Sequence, residues 1–131
     1  MIVGIGTDLM QISRMNKIIS KFGEAFEQKV FTPFEIERAK QLSPSKKSAF
    51  YAKRFAAKEA FSKALGTGIG TNAFFKDIEI QNDAKGAPFY VISGKAKETL
   101  EAKTNGQNYQ IHLSLSDEKA YATAFVVIET Y

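Results

Sequence analysis

The sequence predicts an α+β fold, mainly antiparallel in its sheet and built around one long alanine-rich helix. Three observations carry that prediction. Arg54 to Leu65 is rich in alanine and has no proline or glycine until Gly66, which favours a helix stopped by glycine. Asp77-Ile78-Glu79-Ile80-Gln81 alternates, passes through the turn-like Asn82-Asp83-Ala84-Lys85-Gly86 and returns as the apolar Phe89-Tyr90-Val91-Ile92, the pattern of a β-hairpin. Tyr109 to Leu115 alternates apolar with polar residues, while Tyr121 to Ile128 is apolar on both faces, which marks a strand that is central or at an interface. The order strand, helices, hairpin, helix, hairpin argues for α+β.

The elements follow in order. Ile2-Val3-Gly4-Ile5 reads as a short buried strand running into a Gly6-Thr7-Asp8 turn, with Asp8 at its exit. Ser13 is the expected cap of a helix whose inward stripe is Met15, Ile18, Ile19 and Phe22 and which ends at Gly23. Arg14, Lys17 and Lys21 lie off that stripe, as a solvated face or a docking surface for an acidic partner. A short helical turn over 24–31 points Phe26 and Val30 inward. Thr32, Pro33 and Glu35 form a capping box that opens a helix reaching about Leu42. Ser43-Pro44-Ser45 then starts the long helix, and Lys46, Lys47 and Lys53 in its first turns oppose the helix dipole, which points to partners outside that helix. Gly94 to about Lys103 is a weaker helix anchored by Ala96 and Leu100 and closed by Asn105-Gly106.

A chain of 131 residues, 44% hydrophobic and 24% charged, suits one soluble domain, 1–131. Eighteen basic residues against fourteen acidic give +4, a sign that favours acidic or phosphorylated partners without choosing among them. With no cysteine there is no disulfide framework, thiolate nucleophile or thiolate metal site, so a metal would need oxygen ligands or the lone His112. The first residues lack a signal peptide's basic start and apolar core, and no apolar run has the length of a membrane span; a cytosolic protein is expected.

On the long helix Ala52, Ala56 and Ala60 share one side, and Glu59 and Lys63 project from its edge. Such an i,i+4 pair on an ordinary surface stabilises a helix by roughly 0.2–0.5 kcal/mol and means nothing more. Gly66-Thr67-Gly68-Ile69-Gly70 follows a helix and has no Gly-Lys-Ser/Thr, so it is neither a dinucleotide fingerprint nor a P-loop. Ser114, Ser116, His112 and Asp117 lack the geometry of a hydrolase triad, and His112 reads as a hydrogen-bonded structural residue.

The pattern Phe55-Ala56-Ala57-Lys58-Glu59-Ala60, with Lys63 four after Glu59 and the Gly66-to-Gly70 segment following, resembles the signature of the 4′-phosphopantetheinyl transferases, the small holo-acyl-carrier-protein synthases in particular. Gly4-Ile5-Gly6-Thr7-Asp8-Leu9 with Arg14 soon after, Phe31-Thr32-Pro33-Phe34-Glu35, and Ser114-Leu115-Ser116 before an alanine-rich final strand resemble further landmarks of that family, in its order. One departure is plain: Asp117-Glu118 stands where the family usually has His-Glu, which puts in question what that histidine contributes to the coenzyme site.

The resemblance implies transfer of the 4′-phosphopantetheine arm of coenzyme A to a serine of apo acyl carrier protein, with release of adenosine 3′,5′-bisphosphate, in support of fatty acid biosynthesis. It implies Mg²⁺ held by Asp8 and Glu59, with Glu59 and Lys63 catalytic and Lys63 beside the transferred phosphate. Lys58, Ser62 and Gly66 are then further coenzyme residues, Arg54 reaches the 3′-phosphate, and Arg14 with Lys17 and Lys21 docks the acidic carrier. It also implies a homotrimer with sites between subunits and no nucleic acid or membrane partner. The rival readings are a small basic binding module for RNA or an acidic protein, favoured by +4 but lacking an RNA motif, and a nucleotide pyrophosphate hydrolase needing no carrier.

Overall fold

A computed structural model describes residues 1–131. Strand β1 (Ile2–Gln11) leads directly into helix α1 (Ile12–Phe22), and α2 (Glu24–Val30) and α3 (Pro33–Lys40) follow. Helix α4 (Pro44–Leu65) is the longest element. After it come a 3₁₀ turn (Phe75–Asp77), β2 (Ile78–Asn82), β3 (Pro88–Ile92), α5 (Gly94–Lys103), β4 (Tyr109–Asp117) and β5 (Tyr121–Thr130). The architecture is α+β, with both sheets antiparallel: a three-stranded sheet in the order β1-β5-β4 and the separate hairpin β2-β3. The doubly apolar final strand is the central one, the first of the two places its composition allows.

Most boundaries follow local chemistry. The Thr32 side chain accepts from the Glu35 N–H while Glu35 Oε1 accepts from the Thr32 N–H, so the capping box forms as spelled. Pro44 takes the first turn of α4, and Gly66 ends the helix in the left-handed region at φ 86°.

Three expectations at the N-terminal end are corrected. β1 does not stop at Ile5 but runs to Gln11, so Asp8 is a mid-strand residue opposite Ala124. Gln11, with no side-chain bond, occupies the cap of α1, and Ser13 lies inside the helix. Phe22 is 54% exposed instead of completing the inward stripe, because the chain turns at Gly23 before the last turn of α1 can close on the core. Helix α3 also ends slightly earlier than expected, at Lys40.

The core lies between α4 and the three-stranded sheet. Ala52, Ala56, Ala60 and Ala64 are buried against a sheet face that includes Ala122, Ala124, Val126 and Ile128. Gly4 and Gly6 complete the seam, for a methyl group at either would overlap the carbonyl oxygen of Ala64 or Ala60. Glycine is needed there for proximity, since only a residue without Cβ lets strand and helix backbones touch.

Candidate active site

The close approach of β1 to α4 makes the site. Alternate residues of a strand share a face, so Asp8 lies on the same side of β1 as Gly4, Gly6 and the buried Met10, the side covered by α4. Glu59 and Lys63 meet it from the helix. Lys63 Nζ donates to Asp8 Oδ1 at 3.1 Å and to the Thr7 carbonyl at 3.0 Å. Burial raises the Glu59 pKa above its ordinary value, the facing Asp8 carboxylate raises it further, and Lys63 partly offsets both. The Asp8 backbone is held in turn by Thr123, whose Oγ1 donates to its carbonyl at 3.1 Å.

The donor set fits a hard divalent cation. The Glu59 carboxylate faces Asp8, its pKa raised by burial first and by Asp8 second, and no third Asp, Glu, His or Cys joins them to close a protein-only cage. Such an open, oxygen-only pair matches the preference of Mg²⁺ for a few carboxylates with the remaining positions left to water and phosphate.

The other expected site residues are placed unevenly. Gly66 is exposed at the C-terminal end of α4, and the Ser62 carbonyl beside it accepts from the N–H groups of Thr67 and Gly68. Ser62 itself is buried, its hydroxyl spent on the Glu59 carbonyl at 2.7 Å. Arg54 is buried as well: its guanidinium lies 4.0 Å over the Phe50 ring and donates to Asn82 Oδ1 at 2.5 Å, leaving Nε without a partner. Burial lowers the Arg54 pKa to about 10, against the pull of Glu35, so it stays charged at neutral pH.

Lys58 departs from its expected role as a coenzyme residue. Its side chain, like that of Glu35, is 0% exposed, with Nζ 2.8 Å from Glu35 Oε1. The ammonium also donates to the carbonyls of Phe75 and Ile78, so its three protons are used within the chain. Glu35 Oε2 accepts from the Ile80 N–H at 2.9 Å, which makes this pair the hub joining α3, α4 and β2. Two of the three lysines in the first turns of α4 also find partners within the chain: Lys47 stands 3.5 Å from Glu27, and Lys53 stands 3.3 Å from Asp117. Asp117, the departure from the family pattern, thus ties the end of β4 to α4. His112 pairs with Glu129 at 2.8 Å across neighbouring strands, away from Asp8.

Arg14, Lys17 and Lys21 are all exposed on α1. Beside them the structure adds Phe22, over whose ring Lys21 Nζ lies at 5.3 Å. The helical period placed Phe22 inward, and only the break at Gly23 signalled otherwise.

The chain is similar to known proteins along almost its whole length. The family model described as the 4′-phosphopantetheinyl transferase superfamily matches residues 4–126. A holo-[acyl-carrier-protein] synthase of Sphingopyxis alaskensis is 48% identical over 131 residues, covering 98% of this chain and 97% of the relative. One of Zymomonas mobilis is 52% identical over 131 residues with the same coverages, 98% and 97%. Among solved structures, a holo-(acyl-carrier-protein) synthase from Bacillus anthracis in complex with CoA (3′,5′-ADP) superposes with a TM-score of 0.83 at 40% identity, covering 100% of this chain and 99% of that one. The synthase from Neisseria meningitidis gives 0.86 at 41% identity, covering 99% and 100%. A family match of that extent, with relatives of near-equal length, establishes that the chain belongs to the 4′-phosphopantetheinyl transferase superfamily, among the holo-[acyl-carrier-protein] synthases.

Proposed function

We propose that the protein transfers the 4′-phosphopantetheine arm of coenzyme A to a serine of an apo acyl carrier protein. The observation that carries this reading is the meeting of Asp8, Glu59 and Lys63 at the β1–α4 seam. In the reaction the serine oxygen bonds to the phosphorus that carries the pantetheine arm. The bond from that phosphorus to the adenosine-side phosphate breaks, and adenosine 3′,5′-bisphosphate leaves. Phosphoryl transfer asks the protein mainly for positioning and neutralisation of charge.

Asp8 and Glu59 would hold Mg²⁺, which when bound supplies positive charge to the phosphate oxygens. Glu59 is suited to accept the serine proton, directly or through a water, because burial and the facing Asp8 make it hold a proton more readily than an ordinary carboxylate. Lys63, on a flexible stem, neutralises the phosphate as charge develops. Gly66 presents exposed backbone at the end of α4, and Arg54 offers a buried guanidinium with one N–H unspent.

Arg14, Lys17 and Lys21 form the face for the acidic carrier, and the exposed Phe22 adds an apolar contact. The outer face of the three-stranded sheet exposes Ile5, Leu9 and Phe125, and its burial between copies would suit a homotrimer with sites at subunit boundaries. No helix is long and apolar enough to cross a membrane. The proposed setting is the cytoplasm, and the proposed process is fatty acid biosynthesis.

The test is the intact mass of an apo carrier incubated with the protein, coenzyme A and Mg²⁺. One phosphopantetheine added per carrier, lost with chelator, with Glu59→Ala or with the carrier serine replaced, is the expected result. No addition across several carriers would overturn the reading and promote the noncatalytic binding module.

A further inference from the structure

Lys63 carries two assignments that compete. As the residue that neutralises the transferred phosphate it needs its charge turned to that phosphate, yet here two of its three N–H groups are spent on Asp8 Oδ1 and the Thr7 carbonyl, and its charge is set against Asp8. Asp8 is also one of the two carboxylates that fit a divalent cation. We propose that Lys63 serves Asp8 as a resident counter-ion in the metal-free chain and leaves it when a divalent cation takes the two carboxylates, which frees the ammonium for a phosphate. This inference rests on the metal reading of Asp8 and Glu59 given above.

The geometry says which partner moves. Asp8 has a side chain 17% exposed in the middle of a strand that is clamped against α4, whereas Lys63 is 52% exposed on a four-carbon stem. The lysine can swing into water; the aspartate has nowhere to go. The pairing itself depends on position in the sheet: β1 is an edge strand bonded only to β5, which leaves the Thr7 carbonyl open as a second acceptor. Lys63 reaches Asp8 and forms no ion pair with Glu59, so the two carboxylates are not equally neutralised. A cation arriving at the pair meets a like charge already bound to one of its ligands, and that repulsion weakens its binding until the lysine leaves. The release couples the two ligands: phosphate bound to the freed Lys63 stabilises the state in which the cation is bound, and the reverse holds equally.

The experiment is an NMR titration with Mg²⁺ alone, no coenzyme present, following the backbone amides of Asp8 and Glu59 and the side-chain Cε–H signals of Lys63. In the wild type the Lys63 signals are expected to move with the same midpoint as the Asp8 amide. Lys63→Met is expected to bind Mg²⁺ roughly tenfold tighter, since removing one nearby like charge is worth about that factor. Lys63 signals that stay fixed through saturation, or a Lys63→Met affinity equal to or weaker than wild type, would overturn the inference and show that Asp8 keeps the lysine on one oxygen. Absence of Mg²⁺ binding to the wild type, or binding that Asp8→Asn leaves untouched, would overturn the metal reading and the inference together. The side-chain signals in the wild type do not depend on how any variant folds.

Discussion

At the scale of single residues, Glu59 is held as a carboxylate at a cost to stability. Its pKa is raised by burial first and by Asp8 second, so in the folded chain the protonated form is favoured relative to the unfolded chain. Stability from this group is therefore present at low pH and lost as pH rises through its raised pKa. In chelator, Glu59→Gln should melt a few degrees above wild type at neutral pH, the gain kept small by solvent screening, and the two should converge in acid; thermal melts across pH check this. The same variant should lose at least about a hundredfold in turnover, the scale of a lost catalytic group. A Glu59→Gln protein that melts lower at neutral pH would show that its carboxylate is structurally paired. Lys58 illustrates what residue-level reading misses. Neighbours on a helix point 100° apart, so adjacency to Glu59 says nothing about facing the same ligand, and its true partner Glu35 is distant in sequence. Lys58→Met strands a buried carboxylate and should cost about 3–5 kcal/mol in urea melts while leaving the coenzyme A KM of the folded enzyme unchanged. A raised KM with wild-type stability would restore it to the coenzyme site.

At the scale of elements, short-range signals were legible and long-range ones were not. The Thr32–Glu35 capping box and the Gly66 stop are written within one helical turn, so spacing alone reveals them. The extension of β1 to Gln11 depends on pairing with β5 at the other end of the chain, which no local pattern carries. Gly6 shows the ambiguity best, since glycine marks a turn or a close approach with the same letter, and here it is the second. Gly6→Ala should cost about 3 kcal/mol, because the methyl group meets a helix carbonyl that cannot move without the whole of α4. Denaturant melts within about 1 kcal/mol of wild type would mean the sheet can slide away. The proposed roles of Asp8, Glu59 and Lys63 came only through resemblance to a family, whereas helical spacing alone left Glu59 and Lys63 as an ordinary surface pair.

At the scale of the whole molecule, the two faces away from the seam carry two further predictions. Arg14→Glu should raise the KM for the carrier roughly tenfold while the KM for coenzyme A stays within about twofold, as a rim charge acting on one partner does. An equal rise in both constants would place Arg14 at the coenzyme instead. Phe125→Asp puts a charge on the exposed outer face of the three-stranded sheet and should give monomers in sedimentation with little transfer activity. A monomeric but fully active variant would confine the site to one chain. The basic face of α1 was legible from its helical period, whereas the sheet face was not: Phe125 belongs to a strand apolar on both faces, and choosing the outward face needs the register of β1, β5 and β4.

Backbone contact at Gly4 and Gly6 also turns the seam into a gauge. Asp8 and Glu59 are carried by two main chains already in contact at Gly4 and Gly6, so neither backbone can move toward the other to follow a change in the size of a bound ion. Mg²⁺ sits about 2.0–2.1 Å from its oxygens and Ca²⁺ about 2.3–2.6 Å with more ligands, so a pair held at fixed span favours the smaller ion. Any folded Gly6→Ala protein should discriminate less between the two in parallel titrations; undiminished preference would place the selectivity elsewhere. In the proposed metal site, two hydrogen atoms standing where methyl groups would collide would then help set which ion is favoured, without touching it.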